Sequence, residues 1–304
     1  MIDKRLKSPI IIIGFGRSGT SIVADILLQH SELAYISNYN AKFIRSSSIN
    51  CLRYIFDNKL WRISGQKRQL NKVSLLNRYT FKSSEAYNFI NHVTGRDFGR
   101  DFLFNTEESE VAIDRIRNTF SKLVRLQGKK RLGFKITGPS RLGYLSSLFP
   151  DAKFILVKRE PLPNIRSLLN VDFYQDRKNR LWWHGGGVYS EAEKGFAAEN
   201  NSRPEIIAAL QYYKINEIHA YEEKKYGLEH QVLTLSYEKF VEEPQKAIDK
   251  VFEFTGLPRC KHVDHFIKVN RVFDRNKRKE FYFSEKVDQE VKDVALNGCK
   301  AQKT

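Results

Sequence analysis

The sequence predicts an α/β fold in which a central parallel sheet is flanked by helices on both faces, a three-layer sandwich. Three observations carry that prediction. Short aliphatic runs recur between Gly and Pro boundaries, each is followed by a segment at helical spacing, and the first opens into a glycine-rich turn. With 304 residues, 41% of them hydrophobic, the chain can bury one such sheet, and the reading is a single domain over 1–304.

Residues 10–13 are four isoleucines between Pro9 and Gly14, the pattern of a central strand covered on both sides. Residues 20–30 follow as a helix, with Ile22, Val23, Ile26 and Leu27 on one stripe. From about 40 to 130 no period dominates. That stretch is rich in basic, aromatic, Ser and Asn residues, and it reads as a basic, mostly helical insertion over the sheet. Residues 132–136 read as a strand and 140–149 as a helix, and Pro150-Asp151 turns the chain into a strand over 153–158. A helix over 163–169 comes next, then an irregular stretch around Gly185-Gly186-Gly187. Residues 206–226 form a long helix, 232–235 a strand, and 244–255 a helix stopped by Gly256 and Pro258. Strands that alternate with helices imply parallel pairing.

The formal net charge of +17 speaks to partners rather than to fold. Between Lys42 and Lys82 ten Lys and Arg residues stand against one acid, Asp57. Cys51, Cys260 and Cys299 are few, odd in number and widely spaced, which suits neither a disulfide framework nor a metal site. No apolar run reaches the length of a membrane span, and the first residues lack the apolar core of a signal peptide. A cytoplasmic protein is expected, with peripheral contact at a membrane left open.

Gly14-Phe15-Gly16-Arg17-Ser18-Gly19-Thr20-Ser21 leaves a buried strand and enters a helix. Such a turn aims several backbone N–H groups at one anion, helped by the positive end of the helix. The spacing from Gly14 to Gly19 equals that of a Walker A loop, but Thr20 stands where the phosphate-binding Lys belongs. A nucleoside triphosphate is therefore the wrong ligand, and a shorter 5′ chain fits better. An ordinary Gly-containing strand–helix turn is the bland alternative.

The strand over 153–158 ends in Lys158 and Arg159, where a nucleoside triphosphatase places a Mg²⁺-binding acid. Arg159 can grip a phosphate through its fork, and Ser167, eight residues on, can donate a further bond. Two anion sites at the carboxyl ends of neighbouring strands point to a nucleotide with separated phosphates.

Here the sequence resembles the P-loop-like sulfotransferases that use 3′-phosphoadenosine 5′-phosphosulfate. The Gly14–Ser21 turn looks like their 5′-phosphosulfate loop, and Arg159 with Ser167 resembles their 3′-phosphate site. Phe149-Pro150-Asp151-Ala152-Lys153 and Leu235-Ser236-Tyr237-Glu238-Lys239-Phe240 with Pro244 are further matches. The resemblance implies that Gly16, Arg17, Ser18, Gly19, Thr20 and Ser21 hold the 5′ end, that Arg159 and Ser167 hold the 3′-phosphate, and that Tyr237 lies near the adenine. It also implies an O-sulfotransferase with no metal and no nucleic-acid partner. Tyr237 reads equally as a core aromatic anchoring a loop. The basic segment 271–279 lies where the family often closes a loop over the 3′-phosphate, without the Arg-Lys-Gly pattern of some members.

Sulfuryl transfer needs stabilised charge on the transferring oxygens and a base for the acceptor. Arg17 and the first amides of the helix are candidates for the former. Lys135 resembles a Lys near the site in several family members. Many members place a Glu shortly after the first helix, whereas this chain has Ile36-Ser37-Asn38-Tyr39-Asn40 there. His184, beside Trp182 and Trp183, is the favoured substitute; His92, Asp101, Glu107 and Glu108 are the others. The acceptor is expected to be a hydroxyl compound, an anionic glycan or glycolipid. A P-loop kinase of unusual sequence, a basic nucleic-acid-binding protein and an inactive scaffold are the competing readings.

Overall fold

A computed structural model describes residues 6–57, 80–270, 272, 274–276 and 283–302. Five strands form the sheet: β1 (Ile10–Gly14), β2 (Leu33–Ala34), β3 (Arg131–Thr137), β4 (Lys153–Lys158) and β5 (Val232–Ser236). Their order is β2-β3-β1-β4-β5, and every pair is parallel. Central β1 pairs with β3 through Ile10↔Gly133 and with β4 through Ile10↔Lys153. The expected sheet is therefore present. Leu33–Ala34 adds an edge strand too short to announce itself as a run of apolar residues.

The pleat of β1 sends alternate isoleucines to opposite faces. Ile11 and Ile13 join Phe134, Phe154 and Leu156 in one core, and Ile10 and Ile12 join Ile155, Val157 and Leu235 in the other. Burying each such side chain stabilises the fold by roughly 1.5–3 kcal/mol, so the strand is anchored from both sides.

On the face of Ile10 and Ile12, α1 (Thr20–Leu27) presents Val23, Ile26 and Leu27. It ends three residues short of the expected stop. His30 N–H donates to Leu27 O at 3.0 Å, and the His30 ring bonds Pro258 O at 2.8 Å, which converts 28–30 into a turn.

Within 40–130 the described residues form α2 (Asn38–Lys42), α3 (Leu52–Phe56), α4 (Tyr87–Thr94) and α5 (Glu110–Leu126). Ser109 caps α5 by accepting from Ala112 N–H, and Ile116, Phe120, Leu123 and Val124 pack on the face of Ile11 and Ile13. Six of the ten basic residues noted above, Lys59, Arg62, Lys67, Arg68, Lys72 and Arg78, lie outside the described residues.

The next helix, α6 (Leu142–Leu148), starts two residues later than expected. The buried Glu222 carboxylate accepts from Ser140 Oγ at 2.5 Å and from Leu142 N–H at 3.0 Å, so a side chain from elsewhere fixes the first turn. By contrast α7 (Pro161–Leu169) starts two residues early, because Pro161 has no N–H to lose at a helix start.

Beyond the short α8 (Asp172–Gln175) and α9 (Glu191–Glu199) runs α10 (Pro204–Lys225), which buries Ile206, Ile207, Leu210 and Ile215 beneath α7 and the last long helix. After β5, α11 (Tyr237–Glu242), α12 (Pro244–Thr255) and α13 (Lys261–Val269) cover the face of Ile10 and Ile12. Finally α14 (Glu285–Asn297), not anticipated, lays Val291 and Val294 on α10. Among the described residues no helix is long and apolar enough to cross a membrane.

Candidate active site

Both candidate anion sites sit where the sheet order predicts, beyond the carboxyl ends of β1 and β4, and they share one cavity of about 480 Å³. The loop after β1 is tightly folded. Gly14 has φ +156°, and a Cβ there would stand 2.5 Å from Val157 O, so only glycine fits beside β4. Ser18 N–H donates to Phe15 O at 3.1 Å to close the turn. Gly19, with φ +100°, opens α1, and its carbonyl accepts from Ile22 and Val23. The amides that start α1 have no carbonyl acceptor in the preceding turn of helix.

Arg17 adopts φ +72°, a left-handed corner that costs a non-glycine residue about 1–3 kcal/mol. Three contacts hold it. Arg17 Nε donates to Ser167 Oγ at 3.2 Å, and Arg159 Nη1 donates to Arg17 O at 3.0 Å. The Asn164 side chain, with its nitrogen facing the loop, donates to Gly16 O at 2.9 Å. Thus Arg17, Arg159 and Ser167 are brought together by the geometry, and all three line the cavity. Burial presses the guanidinium of Arg17 below its usual pKa, and neighbouring Arg275 adds to the effect. Arg159 is lowered too, chiefly by burial. An anion between them relieves that electrostatic cost.

Tyr237 is a buried aromatic that packs against the loop and also faces the cavity. Its ring is buried against Gly19, where a Cβ would come within 2.3 Å, and lies beneath Arg159 at 4.8 Å. It also lines the cavity, and its hydroxyl accepts from Arg275 N–H at 3.1 Å. Arg159 Nε donates to Asn276 Oδ1 at 2.8 Å, and Asn276 donates in turn to Glu238. From the basic segment 271–279, Val272, Asp274, Arg275 and Asn276 are described; the others lie outside the described residues.

On the other side of β1, Lys135 reaches from β3 to donate to Ser21 Oγ at 2.8 Å. Its ammonium also stands 3.5 Å from Glu85, which accepts from Thr137 Oγ1 at 2.8 Å. Tyr87 donates to Thr137 O at 2.8 Å, and burial together with the Glu85 charge raises its pKa, so its hydroxyl stays protonated. Ser21, Glu85, Tyr87 and Thr137 line the cavity.

Glu85 is the carboxylate the sequence did not yield. The stretch 36–40 has none, but it holds the segment that carries one. Asn38 N–H donates to Lys82 O at 2.9 Å, Lys82 N–H to Asn38 Oδ1 at 3.0 Å, and Ser84 N–H to Ile36 O at 2.9 Å. A left-handed Ala86, φ +43°, then turns the chain into α4 and leaves Glu85 facing the loop. The only local signal was a Glu among Ser and Ala just before an apolar helix.

The substitute bases are placed elsewhere. His184 is exposed and outside the cavity lining, while its neighbours differ from it and from each other. Trp183 is buried edge-on to Phe15 at 5.3 Å, close behind Gly16, whereas Trp182 is only partly buried; both line the cavity. His92 is exposed, Asp101 and Glu107 do not line the cavity, and Glu108 is paired with Arg96 at 2.7 Å and Tyr144 at 2.9 Å. Among the described residues no group of three or more His, Cys, Asp or Glu is placed to hold a metal ion.

Comparison with known proteins agrees with this arrangement. No curated protein matches the chain. The solved sulfotransferase STF9 from Mycobacterium avium aligns with a TM-score of 0.51 at 14% identity, covering 86% of this chain and 67% of that one. A sulfotransferase from Alicyclobacillus acidocaldarius aligns at 0.43 and 15% identity, covering 94% and 90%, and STF1 from Mycobacterium tuberculosis at 0.45 and 16%, covering 88% and 72%. At such identities the first likeness speaks to the fold alone. The profile of the sulfotransferase family, however, matches residues 9–261, from the start of β1 to the start of α13. A match over that span, on a sheet whose central loop and neighbouring cation meet in one cavity, places the chain in the sulfotransferase family.

Proposed function

We propose that the protein transfers a sulfuryl group from 3′-phosphoadenosine 5′-phosphosulfate to a hydroxyl of a carbohydrate or glycolipid acceptor. The observation that carries this reading is the meeting of Arg17, Arg159 and Ser167 around a lysine-less loop. A cation, not an acid, stands at the end of β4, which favours two separated phosphate groups over a Mg²⁺-bound triphosphate. Ser18 Oγ, buried without a hydrogen-bond partner, is the kind of orphaned donor that a bound anion satisfies.

In this reading Gly16, Arg17, Ser18, Gly19, Thr20 and Ser21 hold the 5′ end, Arg159 with Ser167 holds the 3′-phosphate, and Tyr237 flanks the adenine. The bound donor supplies the sulfuryl group and a bisphosphate leaving group. Glu85 takes the proton from the attacking hydroxyl, held in place by Thr137 and Lys135. Lys135, on Ser21, stabilises charge at the transferring oxygens. His184 has no part in it.

The test is a pair of measurements. Adenosine 3′,5′-bisphosphate raises the melting temperature in the presence of a chelator, whereas ATP with Mg²⁺ does not. Labelled sulfate then passes from the donor to a hydroxyl in an acceptor panel. Stabilisation by ATP with Mg²⁺ alone would return the kinase reading.

A further inference from the structure

Transfer chemistry does not use every charged group around the cavity. Trp182 forms part of the cavity wall, and its backbone is fixed: its N–H donates to Gln211 Oε1 at 2.8 Å, an oxygen that also accepts from Trp183 N–H at 3.1 Å. Gln211 donates to Tyr174 at 2.6 Å, so the mount is a buried, satisfied network. Three guanidiniums gather on the Trp182 ring: Arg177 at 4.0 Å from its centroid, Arg100 at 4.5 Å and Arg180 at 5.9 Å. None of the three is in an ion pair among the described residues, although Asp101 and Asp176 adjoin Arg100 and Arg177 in sequence. Arg177 and Phe173 line the same cavity as Trp182, and so does Arg275.

A single cation over an exposed indole is only weakly favourable, and like charges nearby work against it. Three cations on one ring, none of them in an ion pair among the described residues, form a field that attracts a negative group. Guanidinium forks held in this way match the paired oxygens of a carboxylate or of a sulfate or phosphate ester.

We propose that Trp182, Arg100 and Arg177 form an acceptor subsite, and that the acceptor carries an anionic group in addition to its reactive hydroxyl. The inference rests on the sulfuryl-transfer reading of this cavity. The acceptor packs beside the Trp182–arginine stack, and Arg100 and Arg177, held over that ring, grip its carboxylate, or its sulfate or phosphate ester. Neither the basic stretch 42–82 nor His184 enters this assignment.

The experiment compares three hydroxyl probes by calorimetry: p-nitrophenyl β-D-glucoside, the matching glucuronide, and the glucoside 6-sulfate. Wild-type protein binds at least one anionic probe about tenfold more tightly than the neutral one, and the preference shrinks as salt rises. In Arg100→Ala/Arg177→Ala the preference falls to within about twofold, while affinity for adenosine 3′,5′-bisphosphate is unchanged. The anionic probe that wins identifies the charge carrier. Equal binding of all three probes, binding of none, or a preference that survives the double substitution overturns the proposal. So does a double variant that loses the bisphosphate instead, which would assign the cluster to the nucleotide. Salt dependence is read on wild-type protein and does not depend on the variant folding. All titrations are run with and without bisphosphate. If the bisphosphate binds no form of the protein, the donor reading fails while the probe comparison still decides the subsite.

Discussion

The guanidinium of Arg159 donates to the backbone carbonyl of Arg17 at 3.0 Å, so the end of β4 and the left-handed corner of the loop after β1 form one hydrogen-bonded unit. Building the anion site and holding the strained loop are therefore tasks of the same side chain.

Arg159→Ala is expected to weaken adenosine 3′,5′-bisphosphate binding on the order of a hundredfold. It also leaves Asn276 Oδ1 without the Arg159 donor and Arg17 O with only the 3.3 Å bond from Asn164, at a cost of about 1–3 kcal/mol in stability. Arg159→Lys recovers part of the charge but cannot reach both acceptors. Calorimetry and urea denaturation of the three proteins decide it, and unchanged binding in the Ala variant would remove Arg159 from the site.

Gly19→Ala places a methyl 2.3 Å from Tyr237 Cδ2 at a φ of +100°. A loss of roughly 1–3 kcal/mol follows, from strain and from overpacking together. Since part of the clash is with Tyr237, Gly19→Ala/Tyr237→Ala should cost less than the sum of the two single changes. Strict additivity in denaturation midpoints would show that the loop and the ring do not press on each other.

Glu85→Gln keeps an acceptor for Thr137 while removing the base. Turnover is expected to fall about 10²–10⁴-fold with bisphosphate affinity preserved. His184→Ala leaves turnover within about twofold, in keeping with the exposed position of that ring. Steady-state rates for both variants, normalised to bisphosphate-binding sites, separate the two candidates.

His219, buried on α10, has its pKa lowered from 6.5 to about 3, first by burial and then by Lys158. The unfolded chain takes up a proton near pH 6.5 and the folded chain does not, so stability is full above that pH and is lost as pH falls toward 3. Between pH 7 and pH 5 the loss is about 2 kcal/mol. Glu222, one turn further on and raised by burial, works in the opposite direction: its contribution is full below its ordinary pKa and is lost as pH rises through the raised one. His219→Gln should flatten the decline, measured as urea midpoints at pH 5, 6 and 7.

Much of this architecture was legible because it is written locally. Ile10 to Ile13 and the glycines that follow specify a buried strand and a phosphate turn within a dozen residues, and Arg159 and Ser167 lie within a single strand–helix unit. What escaped was specified at a distance. Glu85 reaches the cavity only because Asn38 and Ile36 pair with Lys82 and Ser84, a contact without any periodic signature. Helix ends moved for the same reason: Glu222 sets the start of α6 from α10, and Pro258 stops α1 through His30. Trp182 and Trp183 both reach the cavity because Gln211, on a distant helix, accepts from both of their N–H groups.

The central place of β1 also governs how the molecule comes to be. Both ladder partners of Ile10 arrive late, Gly133 and Lys153 being more than 120 positions downstream. As the chain leaves the ribosome its four isoleucines have no sheet to join until β3 and β4 have been made. A topology of such high contact order assembles slowly and exposes a sticky segment in the meantime. Fragments truncated before Lys153 should stay unfolded, and chaperone demand during synthesis should centre on the opening strand.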